Sequence, residues 1–121
     1  MQLSDDQLEQ FRRDGYLFLP GAFSAAEAAV LREEADRLYA TEREEVWRES
    51  TGAPRTAFAA HNWSEPFRRL GRHPRLIGPV SQILDGPVYM HQFKVNAKAA
   101  FDGEVWQWHQ DYGTCQRDDE M

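Results

Sequence analysis

Polar residues that cap and apolar residues that recur every three or four positions mark the first half of the chain as helical. Ser4 followed three residues later by Gln7 forms a capping-box signature, with Leu3 and Leu8 placed to staple it. Leu8 and Phe11 share a face, and Gly15 follows Asp14 where a left-handed terminator is wanted. Tyr16-Leu17-Phe18-Leu19 is a short apolar run stopped by Pro20-Gly21, which predicts a buried strand and a turn. Ser24 and Glu27 repeat the capping box, and Ala28, Leu31, Ala35 and Leu38 follow at helical spacing, so a helix is expected from Ala25 to Thr41. From Glu42 to Trp63 the pattern loosens around Gly52 and Pro54, and an irregular binding loop or lid is expected. Ser64 precedes a short helix, Glu65 to Leu70. His73-Pro74 opens another that ends near Asp85-Gly86-Pro87, with Gly78-Pro79 starting or kinking it.

The period changes at Val88. In a strand from there to Lys98, successive side chains point to opposite faces. Gln92, Lys94, Asn96 and Lys98 then share one face, and Tyr89, His91, Phe93 and Val95 the other. The polar row is either a solvated surface or the wall of a pocket. Asp102-Gly103 predicts a hairpin turn, and Val105 to Asp111 the returning strand. Helices first and strands later describe an α+β fold, and no linker or repeat divides residues 1–121 into more than a single domain.

Composition narrows the function classes. With 14 Lys and Arg against 20 Asp and Glu, the net charge of −6 disfavours a nucleic-acid partner. No apolar run is long enough to span a bilayer, and the N-terminus lacks the basic-then-apolar order of a signal peptide. The single Cys115 excludes an internal disulfide and a Cys-rich zinc site, which suits a cytoplasmic location.

Candidate chemistry concentrates in Trp106-Gln107-Trp108-His109-Gln110-Asp111. Two apart in a strand, His109 and Asp111 emerge on one face about 6–7 Å apart. An imidazole and a carboxylate so placed make two-thirds of the 2-His-1-carboxylate triad that holds non-haem Fe(II), leaving positions for a 2-oxo acid and O₂. The bare pair is weak, since a chain of this composition supplies about 0.3 of them by chance.

The longer tract His91-Gln92-Phe93-Lys94-Val95-Asn96-Ala97-Lys98, a glycine turn, then Trp106 to Thr114 resembles the phytanoyl-CoA dioxygenase family, and within it the branch containing the ectoine hydroxylases. The N-terminal order of capped helix, Gly15-Tyr16-Leu17-Phe18-Leu19-Pro20-Gly21 and second capped helix after Phe23-Ser24 resembles the same family. The resemblance implies an Fe(II)- and 2-oxoglutarate-dependent dioxygenase that hydroxylates a small-molecule substrate. It implies His109 and Asp111 as iron ligands, Asn96 and Trp106 against 2-oxoglutarate with Lys94 beside them, and Gln92 toward the substrate. Cys115 stands where this branch usually has a Trp lining the substrate pocket. At least one of Trp106 and Trp108 is expected in the core.

The resemblance also implies a chain about twice this long, because a jelly roll (double-stranded β-helix) closes on roughly eight strands and about three are readable here. A second iron-binding His and an Arg for the far carboxylate of 2-oxoglutarate are expected from later strands. His61, His73 and His91 are poor substitutes for that third ligand. The expectation is therefore an N-terminal half with an incomplete jelly roll, inactive alone, either truncated or split from a complementing C-terminal chain. Two alternatives stay open: a non-catalytic protein that dimerises through its uncovered sheet, and a metal-free cyclase using His109 or Asp111 as general acid or base.

Overall fold

The computed structural model describes residues 1–98 and Trp108. Both capping boxes form. Ser4 Oγ accepts from the Gln7 amide and Gln7 Oε1 from the Ser4 amide, opening α1 (Asp5–Asp14), which Gly15 ends at φ 77° with its N–H bonded to the Phe11 carbonyl. Ser24 and Glu27 exchange the same two bonds at the start of α2 (Ala25–Tyr39).

Two expectations fail between and after these helices. Residues Tyr16 to Leu19 form no strand, and Tyr16 and Phe18 are 65% and 78% exposed. An apolar run becomes a strand only where a neighbour accepts its backbone hydrogen bonds, and among the described residues no strand pairs with it. The segment 42–63, expected to be irregular, instead holds β1 (Val46–Arg48), β2 (Pro54–Phe58) and a single helical turn, α3 (Ala60–Trp63). Gly52, at φ 87°, is the tip of a hairpin and not a loop breaker. Its N–H bonds the Glu49 carbonyl, while the Glu49 N–H bonds that of Ala53.

β1 and β2 pair antiparallel as Val46↔Ala57 and Trp47↔Thr56, with a register shift before Arg48↔Pro54. β2 pairs next with β3, which covers only Lys94–Asn96, in the register Thr56↔Asn96, Ala57↔Val95 and Phe58↔Lys94. The strand expected from Val88 is thus shorter, although bonds from Ala59 N–H to the Phe93 carbonyl and from Ala97 N–H to the Arg55 carbonyl extend the pairing at each end. The predicted turn at Asp102-Gly103 and returning strand Val105 to Asp111 lie outside the described residues.

One face of this sheet is the core. Val46 and Ala57 pack with Leu38 of α2, Ala60 of α3 and Phe67 of α4 (Glu65–Gly71), and Val95 and Phe93 lean on the cluster. Helices on one side of a small antiparallel sheet make the arrangement α+β. Ser64 precedes α4 as expected but does not cap it. Its hydroxyl, 1% exposed as a residue, donates to Glu34 Oε1 at 2.5 Å and fastens α4 to α2.

α5 (Pro74–Ile83) begins at Pro74, with His73 Nδ1 accepting from the Arg75 amide, and carries Pro79 inside it. Gln82 on α5 clamps the N-terminus by accepting from the Leu3 N–H at 2.6 Å and donating to the Leu3 carbonyl at 3.2 Å. Among the described residues no helix is long and apolar enough to cross a membrane.

Candidate functional site

The core face of the sheet leaves its other face for chemistry. Register places Trp47, Thr56 and Asn96 in one row across β1, β2 and β3, and Phe58 opposite Lys94 in the next. Three of the expected site residues can be located here. Asn96 and Lys94 stand exposed on this face of β3, while the alternate residues Phe93, Val95 and Ala97 are half-buried. Gln92 is exposed as well, but it precedes the strand.

The alternation does not extend further back. Tyr89 and His91, expected on the same face as Phe93 and Val95, are exposed, with their rings packed edge to face. What holds the segment is Phe93, whose ring centroid lies 5.2 Å from that of His61 and 5.9 Å from that of Phe67. An aromatic anchor at residue 93 ties down β3 and leaves residues 89–91 outside the sheet.

Asn96 is not a loose surface amide. The Thr56 hydroxyl donates to its Oδ1 at 3.0 Å across the strand pair, and Thr56 is itself only 3% exposed. With Oδ1 so engaged, Asn96 presents the donors of its amide nitrogen, the right chemistry for a carboxylate. Lys94 adds a positive charge. Its Nζ lies 5.6 Å from the Phe58 ring, and that ring packs against Trp47 with centroids 4.8 Å apart. The face thus combines an oriented amide, a cation and an aromatic floor, a donor set that fits an organic dianion. Thr56, Phe58 and Trp47 were missed in the sequence because β1 and β2 were expected to be irregular. The signal was there in the alternation Thr56-Ala57-Phe58 and Val46-Trp47, short as it is.

His109, Asp111, Trp106 and Cys115 lie outside the described residues. Trp108, the other residue offered for the core, is fully exposed. Among the described residues no three His, Cys, Asp or Glu side chains converge on a point where a metal could sit. The other histidines have structural surroundings: His73 caps α5 and packs on Phe23, and His61 packs on Phe93. Among the described residues the Asn96 amide and the Lys94 ammonium thus offer donors to an anion, and no group of three metal-ligating side chains is present.

Charge on the helical layer is spent on structure. Glu27, Glu34 and Glu65 are all held below the usual carboxylate range, chiefly by hydrogen bonds from Arg75, Arg37 and Arg69. A cavity of about 750 Å³ forms an apolar groove among α4, α5 and residues 88–93, lined by Leu76, Ile77, Val80 and Met90. Gln92, Lys94 and Asn96 do not line it.

Residues 11–121 match the phytanoyl-CoA dioxygenase (PhyH) family. L-Proline trans-4-hydroxylase of Streptomyces griseoviridis is 38% identical over 117 residues, covering 96% of this chain and 44% of that protein. Ectoine dioxygenase of Stutzerimonas stutzeri is 36% identical over 124 residues, covering 98% and 41%. The crystal structure of EctD from S. alaskensis with bound Fe superposes with a TM-score of 0.85 at 33% identity, over 93% of this chain and 42% of that one. EctD has also been solved with 2-oxoglutarate and 5-hydroxyectoine, and that structure superposes at 0.84. The chain spans less than half the length of these relatives.

Proposed function

The chain belongs to the phytanoyl-CoA dioxygenase family, and we propose from that membership that it forms the N-terminal part of a non-haem Fe(II)/2-oxoglutarate-dependent dioxygenase hydroxylating a small molecule. The observation that carries the reading is the family match running through the tract that holds His109 and Asp111. In this assignment His109 and Asp111 hold the iron, whose redox chemistry with O₂ performs the oxidation when it is bound. Asn96, Lys94 and Trp106 hold 2-oxoglutarate, with the Asn96 amide donating to a carboxylate and Lys94 offsetting its charge. Gln92 and Cys115 face the substrate.

The remaining ligands come from the rest of the domain, as part of a jelly roll that this chain begins. A second His and an Arg for the far carboxylate are then supplied after residue 121, in the same polypeptide or by a complementing chain. Candidate substrates are of the kind named for the relatives, ectoine and L-proline.

Anaerobic addition of Fe(II) and 2-oxoglutarate tests the assignment through the charge-transfer absorption of a chelated 2-oxo acid. The 121-residue chain should give no band, and the chain joined to the remainder of a family domain should give one that His109→Ala abolishes. A strong band from the isolated chain would contradict the incomplete triad. Absence of a band from the joined protein would contradict the iron assignment altogether.

A further inference from the structure

We infer that Thr56 is a positioning residue for 2-oxoglutarate, acting through Asn96. This rests on the reading that Asn96 holds the cosubstrate and adds a residue from a different strand, β2.

An asparagine on the exposed face of a strand has a terminal amide free to turn over, and each half-turn exchanges a donor for an acceptor. A carboxylate is bound only in one of the two orientations. In the other, a carbonyl oxygen faces a carboxylate oxygen. Something must therefore fix the amide before the ligand arrives, or binding must do so at an entropic cost.

Thr56 is placed to fix it. It sits directly opposite Asn96 in the antiparallel register, where side chains on one face approach most closely. Its hydroxyl has one proton, and that proton is committed to Asn96 Oδ1 at 3.0 Å. Being β-branched and 97% buried, Thr56 has little rotamer freedom with which to release it. The Trp47 position on β1 closes the same row from the far side. Oδ1 is thereby held toward β2, which leaves Nδ2 as the donor end of the amide. Pre-organisation of this kind lowers the cost of binding without any contact between Thr56 and the ligand.

The experiment uses the full domain, loaded with Fe(II), and measures 2-oxoglutarate affinity by anaerobic calorimetry alongside steady-state kinetics. Asn96→Ala should weaken 2-oxoglutarate binding. Thr56→Val, which keeps the shape and removes the proton, should raise Kd and KM for 2-oxoglutarate about five- to twentyfold while changing kcat less than about twofold. Thr56→Ser should restore most of the affinity, which separates the hydroxyl from any folding defect of the valine variant. In the Asn96→Ala background, Thr56→Val should have almost no further effect.

If Thr56→Val leaves affinity unchanged while Asn96→Ala weakens it, the positioning role is wrong and the cosubstrate reading stands. If Asn96→Ala is itself silent, the placement of 2-oxoglutarate at Asn96 fails and takes the role of Thr56 with it. Equal losses from Thr56→Val with and without Asn96 would also overturn the inference, because they would show a route that bypasses the amide.

Discussion

Glu27 shows how much one carboxylate can join. Its backbone and side chain complete the capping box of α2, and its side chain pairs with Arg75 at the start of α5. Arg75 is held in turn by the Ala22 carbonyl at 2.6 Å and by the face of Phe23. Bonds from Arg75 first, and then from Ser24, lower the Glu27 pKa from 4.5 to about 2. A pKa lower in the folded state means that stabilisation is fully present above pH 4.5 and is lost as pH falls toward 2. Urea midpoints should therefore drop between pH 5 and pH 2.5, and Glu27→Gln should flatten part of that fall while lowering the midpoint at neutral pH. A variant with an unaltered pH profile would show that the pair is too solvated to matter. The capping box was legible in the spacing of Ser24 and Glu27. The pairing with Arg75, 48 residues away, was not.

At the scale of elements, the four longer helices behaved as their local patterns required, whereas α3, β1 and β2 arose where no element was expected. α1, α2, α4 and α5 begin where capping residues or prolines place them, because a helix closes its hydrogen bonds within four residues. β1 and β2 are three and five residues long, too short for alternation to stand out. Tyr16 to Leu19 had the stronger strand composition and forms none. Contacts between elements are equally non-local, and Ser64 illustrates this: in sequence it is an N-cap, in the structure it joins α4 to the Glu34 carboxylate of α2. Ser64→Ala should cost about 1–3 kcal/mol, the range for a buried hydrogen bond to a charged group, measured by urea unfolding. A loss below about 0.5 kcal/mol would mean that Glu34 is satisfied by Arg37 alone.

Over the whole molecule, apolar surface is distributed unevenly. Among the described residues the core is small, centred on Leu38, Ala57, Ala60 and Phe67, while Tyr16, Phe18, Leu84 and Tyr89 are exposed and α5 offers the wall of an apolar groove. Exposed apolar surface on this scale marks contact with other protein, and the relatives, more than twice as long as this chain, carry the remainder of a domain. The isolated 121-residue chain should therefore self-associate in sedimentation velocity at micromolar concentration, and Phe18→Lys should reduce the association. A concentration-independent monomer would contradict the expectation and with it the dimerising alternative.

Local chemistry was settled by the residues in order. Caps, proline-started helices, the exposure of Lys94 and Asn96 against half-buried Val95, and the tract that ties the chain to its family all depend on neighbours within a few positions. Tertiary structure alone decided that β2 lies between β1 and β3, that Phe93 and not His91 anchors the last strand, and that a threonine 40 residues away holds the Asn96 amide. The difference is physical. A helix or a cap finds its partners along the chain, whereas a strand edge, a buried hydroxyl or an ion pair between helices takes whatever partner the fold brings opposite.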